Sequence, residues 1–290
     1  MAHDWSQLVV RSEVDAIRAT GPDVVSFLQG QLSQDVAQLA VGETTFSLLL
    51  APQGKLDAWL RITKLNDSEV VLFVDKGFGE AVLKRLHRFK MRVDVTFAAE
   101  QFDRLHYPQP ANVGQVRAHH DGLGHTVGES WSSGGIDAFV PCSADPLIAP
   151  EFQIADDAAS SLARIRAAEP AMGSELNEAT IPAEAGIVDR STSFTKGCYT
   201  GQELVARVDS RGSNTPRKLR AFSGGSALPT TPIDVETNTG DVMGTLTSVA
   251  VTSDGWVGLG YIKRSTLDEV SGMVDGAVVS IAVPAHMETS

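Results

Sequence analysis

Lys196-Gly197-Cys198-Tyr199-Thr200-Gly201-Gln202-Glu203 sets one of the chain's two cysteines beside a lysine, in a glycine-bounded turn that opens onto a helix. Thr200 and Glu203 have the spacing of a reciprocal N-cap, a hydroxyl first and a carboxylate three residues on. Leu204, Val205 and Val208 then recur at helical spacing. The pattern predicts a helix that starts just beyond Cys198, where free backbone N–H groups and the helix dipole favour negative charge. A nearby ammonium adds to that preference, so the setting suits a reactive thiolate. A plainer reading fits the same residues: the two glycines make a tight turn and Cys198 fills a small gap.

Upstream, residues 170–195 are rich in turn formers and punctuated by Pro182 and Gly186. Within Ile181-Pro182-Ala183-Glu184-Ala185-Gly186 the proline and glycine would pin the backbone around Glu184. A carboxylate held this way accepts two parallel hydrogen bonds and matches the N–H edge of an aminopyrimidinone such as a pterin. A glutamate on a solvated loop is the competing reading. Downstream of Arg217 the composition shifts to short strands separated by Gly, Thr, Ser and Pro. Residues 242–251 and 256–262 fit a hairpin around Ser253-Asp254-Gly255, and 277–283 a last strand, so the tail reads as a small β-barrel.

Toward the N-terminus, Gly21-Pro22-Asp23 opens a short helix with Val24, Phe27 and Leu28 on one face and Gly30 as its terminator. A buried strand over 46–50 turns at Pro52-Gln53-Gly54-Lys55 into a returning strand over 56–63. There Leu56, Ala58, Leu60 and Ile62 alternate with Asp57, Trp59, Arg61 and Thr63, which leaves Asp57 open between a cleft and solvent. Another strand follows over 70–74. Residues 77–91 read as an amphipathic helix, with Phe78, Val82, Leu86 and Phe89 opposite Lys84, Arg85 and Arg88. Residues 93–141 read as antiparallel strands, and 156–168 as a helix with an acidic start. His119, His120 and His125 straddle a hairpin turn on this reading and lack zinc-ligand spacing, so no metal site is expected.

The 290 residues suffice for two or three domains. A formal net charge of -12 argues against a general affinity for nucleic acid or anionic membrane. Cys142 and Cys198 are too few for a disulfide framework and suit a reducing cytoplasm. They are also too few for a private iron–sulfur cluster, whose remaining ligands would have to come from elsewhere. Met1 to Gln7 is polar, and no segment approaches a membrane span, so a cytoplasmic protein is expected.

Taken together these stretches resemble the YgfZ family, folate-binding relatives of the glycine-cleavage T-protein (aminomethyltransferase). The anchors are residues 21–36, 48–55, 89–95, 164–169 and 181–186, then 196–203 with Ala206-Arg207 and Arg211-Gly212, and the tail stretches 242–244 and 258–264. The resemblance implies an α+β fold, a three-part ring of T-protein type. Two interleaved antiparallel-sheet portions would fill residues 1–215 and a C-terminal β-barrel 216–290. It further implies a tetrahydrofolate cofactor, with Glu184 as the pterin-binding glutamate, Asp57 and Tyr199 as further contacts, and Lys196 and Cys198 as the functional pair. The implied partners are folate and iron–sulfur client proteins, with a link to tRNA thiolation.

Two departures bear on mechanism. T-proteins carry adjacent aspartates where Leu56-Asp57-Ala58-Trp59 has one, and they lack the cysteine motif. Ala168 and Glu169 also replace the usual glycine-containing form. The expected function is therefore an accessory role in assembly or repair of iron–sulfur enzymes. The alternatives are a tetrahydrofolate-dependent aminomethyl- or methyltransferase acting on a protein or tRNA, with Asp57 as acid/base, and a non-catalytic folate-sensing adaptor.

Overall fold

The computed structural model describes residues 4–142, 148, 151–210, 214–225 and 227–287; Arg211-Gly212 and Met1 lie outside them. Strand β1 (Leu8–Thr20) leads into α1 (Val24–Gln31), β2 (Thr44–Leu50), β3 (Leu56–Asn66), β4 (Glu69–Asp75) and α2 (Gly79–Phe89). Then come β5 (Thr96–Tyr107), α3 (Val113–Gly122), β6 (Thr126–Glu129), β7 (Ile136–Pro141), β8 (Gln153–Ile154) and α4 (Asp157–Arg166). These strands form one sheet in the order β2-β3-β4-β1-β5-β7-β6, with β8 parallel to the start of β1. β1 is long enough to pair with β4 along one edge and β5 along the other, so it links β2–β4 and β5–β7 into one continuous sheet.

After α4 the chain passes through a 3₁₀ turn (Pro182–Glu184), α5 (Val188–Ser191) and α6 (Gln202–Ser210). It then closes a six-stranded barrel from β9 (Arg217–Gly224), β10 (Ile233–Glu236), β11 (Val242–Thr252), β12 (Gly255–Lys263), β13 (Ser271–Val274) and β14 (Ala277–Ala282). The barrel has its own core around Phe222, Leu246 and Trp256. The main core continues from Ile17, Leu28 and Ile62 through Leu162 and Ile165 of α4 to Leu219, Leu259 and Tyr261. Burial of each such side chain stabilises by about 1.5–3 kcal/mol, so the barrel is docked by its apolar flank onto α4 and the sheet.

Three expectations change and one reading left open is closed. Residues 93–141 are not all strand: Asn112 caps α3 by accepting from the Gln115 N–H at 3.0 Å. His119 and His120 therefore lie on a helix rather than a hairpin. The first helix runs past Gly30 to Gln31. In β3 the second face is not solvent-facing, because Trp59, Arg61 and Thr63 are buried as fully as their apolar neighbours. Period-two alternation distinguishes two faces; it does not say that one is wet. The third changed expectation concerns α6 and is taken up with the cysteine loop.

Ala168 adopts φ 49°, the left-handed conformation that glycine takes without a steric cost, and carries roughly 1 kcal/mol of strain in its place.

Candidate functional site

The loop ahead of α6 is held from below. The Lys196 ammonium donates to the carbonyls of Gln29 (2.7 Å), Leu32 (2.6 Å) and Gln34 (2.9 Å), where α1 ends and its carbonyls lack helical partners. Burial pulls this ammonium down to about 8, with Asp35 pulling the other way. The half-buried Tyr199 ring lies 5.1 Å from the same nitrogen, and burial raises its phenol to about 12. Two glycines let the loop seat against the β2–β3 turn. A Cβ on Gly201 (φ 83°) would meet the Ala51 carbonyl, and one on Gly54 (φ 79°) would meet Leu204.

The cap differs from the expected one. α6 starts at Gln202, whose side chain accepts from the Tyr199 N–H at 3.1 Å, while the Thr200 N–H donates to the Gly30 carbonyl. Of the expected reciprocal pairing only the reach-back half is present, and it is made by Gln202 to Tyr199 rather than by Glu203 to Thr200. The two amides that follow Cys198 are thus already engaged by protein acceptors. Cys198 itself is exposed, as is Cys142. The residue is exposed on a loop anchored by Lys196, Tyr199 and Thr200.

Glu184 occupies the last position of the 3₁₀ turn and is 3% exposed. Its Oε2 accepts from Arg217 Nε at 3.0 Å and from the Ile181 N–H at 3.4 Å. Arg217 opens the barrel and lies over the Tyr261 ring at 4.1 Å. The solvated-loop reading of Glu184 is therefore excluded by its burial. Oε1 has no partner among the described residues, which leaves this buried carboxylate with free acceptor capacity.

Asp57 is tied to α2. Arg85 donates to it through Nε at 2.9 Å and also reaches the Leu50 carbonyl. Burial raises the Asp57 carboxyl and Arg85 opposes that rise. Sequence reasoning missed a buried polar centre on the far side of β3. Asp137 accepts from Arg61, from Arg104 (3.0 Å) and from His106 (2.7 Å), and Arg104 forms a two-pronged pair with Glu169. Burial alone would raise Asp137, but Arg104, Arg61 and His106 outweigh it and hold its carboxyl far below the usual range. The alternation of Arg104 and His106 on β5 was the available signal, and it needs a facing strand before it can be read.

A cavity of about 1030 Å³ opens between α4, the β6–β7 turn, strands β9 and β12 and the C-terminal segment. None of Glu184, Asp57, Lys196, Cys198 and Tyr199 lines it. Among the described residues no group of three or more His, Cys, Asp and Glu is arranged to hold a metal ion, and no helix is long and apolar enough to cross a membrane.

A long-stranded sheet joined through a shared core to a closed six-stranded barrel is a fold of T-protein type. Superposition bears this out: the aminomethyltransferase T of the glycine cleavage system from Bartonella henselae matches 98% of this chain and 88% of its own, with a TM-score of 0.79 at 18% identity. The chain belongs to the YgfZ family. The tRNA-modifying protein YgfZ of Aliivibrio fischeri is 30% identical over 274 residues, covering 87% of this chain and 83% of that one. The protein of the same name from Edwardsiella ictaluri is 30% identical over 288 residues, covering 87% and 82%. An uncharacterized Haemophilus influenzae protein is 26% identical over 216 residues, 72% of this chain and 71% of its own. No family model matches the chain.

Proposed function

We propose that this protein binds a reduced folate at Glu184 and acts as an accessory protein for assembly or repair of iron–sulfur enzymes, with Cys198 as its reactive group. The observation that carries the reading is the Glu184 carboxylate: buried, fixed by Arg217 and the Ile181 amide, and with Oε1 unpaired. Those features fit the N–H edge of a pterin, which asks for an acceptor oxygen in a site that excludes water. Tyr261 and Arg217 would bound the ring's surroundings, and tetrahydrofolate, when bound, supplies one-carbon chemistry. Cys198 lies on a separate, exposed loop, which suits contact with a client protein. Lys196 holds that loop to α1 and keeps the thiol presented.

The relatives' name favours a second reading, a folate-dependent transferase acting on tRNA. Against it stands Asp57, the candidate acid/base, whose carboxylate is engaged by Arg85. Complementation of cells lacking the protein separates the two readings. Cys198→Ser is expected to abolish restoration of iron–sulfur enzyme activity while leaving folate binding intact, and Asp57→Asn to restore it. Full restoration by the serine variant would refute the role given to Cys198.

A further inference from the structure

Between Glu80 and Asp94 the chain carries Lys84, Arg85, Arg88, Lys90 and Arg92 and no acidic residue. In a protein of formal net charge -12, no other stretch of this length holds as many of the 24 lysines and arginines. Arg85 is committed to Asp57. Lys84, Arg88, Lys90 and Arg92 form no ion pair among the described residues. Lys84 and Arg88 stand one helical turn apart on the exposed side of α2, and Met91 and Arg92 are exposed in the turn that follows. Met91 is 78% exposed, with a cation on either side of it in the chain.

This face begins at the cysteine loop. Arg85 donates to the Gln31 side chain (3.3 Å) and to the Leu50 carbonyl (3.1 Å). Lys196 and the Thr200 N–H bond the carbonyls of Gln29, Gly30 and Leu32, and Gly201 packs on Leu50. α2 and the loop carrying Cys198 therefore abut the same end of α1 and the same end of β2. At the far end of the basic stretch the Asp94 N–H bonds Asp23, just ahead of α1. α1 is 8 residues long, so the cations extend about 12 Å away from the cysteine loop.

The composition of the face selects among anionic partners. Val82 and Leu86 are buried in the main core, so α2 has no apolar side left to enter a membrane. Four free cations on a short strip answer few phosphates, and a nucleic acid would also meet the field of an acidic chain. An exposed methionine among cations instead has the make-up of a protein–protein contact, where methionine and arginine are enriched and the rim is polar. The flexible thioether also re-packs readily against differing partners.

We propose that the exposed face of α2 and the turn after it, centred on Met91, is a docking surface for an acidic patch on a protein partner, and that it seats this partner beside Cys198. Opposite charges speed the encounter and fix its orientation, while the methionine fills an apolar pocket on the partner. The dock rests on the client-directed reading of Cys198 and adds the chemistry of the client's contact surface.

Fluorescence anisotropy with the full chain tests it. The probes are a labelled glutamate peptide with leucine at every fourth position, poly-glutamate of equal length and a uridine oligonucleotide of equal charge. The leucine-bearing peptide is expected to bind saturably at physiological salt, at least fivefold tighter than either of the others. Lys84→Gln, Arg88→Gln and Arg92→Gln combined should weaken it at least tenfold, and Met91→Ser should erase the advantage that leucine confers. Melting temperature and tetrahydrofolate affinity should be unchanged in both variants. In cells lacking the protein, the triple variant should fail to restore iron–sulfur enzyme activity although its Cys198 is alkylated at the normal rate. Absence of saturable peptide binding, equal binding by the triple variant, tighter binding of the oligonucleotide, or full restoration by the triple variant overturns the dock and leaves the Cys198 reading standing. If Cys198→Ser restores activity while the triple variant does not, the cysteine reading falls and the docking surface remains.

Discussion

Glu184 sits in a short 3₁₀ turn with its carboxylate buried, whereas Cys198 sits in an irregular loop with its thiol exposed. Each is accompanied by a cation, and the two cations do different work. Arg217 pairs directly with Glu184 and so ties the barrel to the segment between α4 and α6. Lys196 gives its donors to three carbonyls at the end of α1 and fixes the backbone on which Cys198 rides. One region holds a charge away from water; the other holds a thiol in it. A buried acceptor suits recognition of a small ring, and an exposed sulfur suits a macromolecular client.

The largest effect is expected where a charge would be stranded. Arg217→Ala leaves Glu184 buried without its partner, and denaturant unfolding should show a loss of about 3 kcal/mol. A change below 0.5 kcal/mol would mean that Glu184 is solvated in the absence of Arg217. Lys196→Met comes next, with a loss of about 2 kcal/mol, because three carbonyls lose charge-assisted hydrogen bonds. This variant also sharpens the comparison. If Lys196 acts on the backbone, alkylation of Cys198 at pH 7 should not slow; a tenfold slowing would assign the ammonium to the thiol instead.

A pH-dependent effect lies outside both regions and serves as a control. His120 is buried, bonds to Tyr107 Oη and His125 Nδ1, and is pulled to about 4, chiefly by burial. The unfolded chain takes up this proton near 6.5 and the folded chain only near 4, so the unfolded state binds more protons between those values. Stability should therefore fall as pH drops from 6.5 to 4, and His120→Gln should flatten that slope. Variants at Arg217 and Lys196 should leave it unchanged.

Much of the architecture was legible in the sequence because local signals agreed with the global fold. The β2–β3 hairpin, α2, the β11–β12 hairpin and the barrel each carry both an apolar period and turn residues in place. α3 was missed because its apolar period is weak and Asp121-Gly122-Leu123-Gly124 reads as a hairpin turn. The cap of α6 was misplaced by one residue because Gln202 and Glu203 are equally suited to reach back, and only the packing of Gly201 against the β2–β3 turn decides between them. The Asp137 centre was invisible for a different reason. Arg61, Arg104, His106 and Glu169 come from distant strands and a loop, and sheet order alone brings them together. The candidate site was legible through motif resemblance; the partners of Glu184 and Lys196 were not.

Equilibrium titration of the full chain with tetrahydrofolate, comparing the unmodified protein with Glu184→Gln, tests the central claim most directly. Glu184→Gln keeps the side chain's volume and one acceptor oxygen while removing the charge, and melting curves establish that it folds. At least a tenfold loss of affinity is predicted. Unchanged affinity in a folded Glu184→Gln protein would place the folate elsewhere and contradict the account.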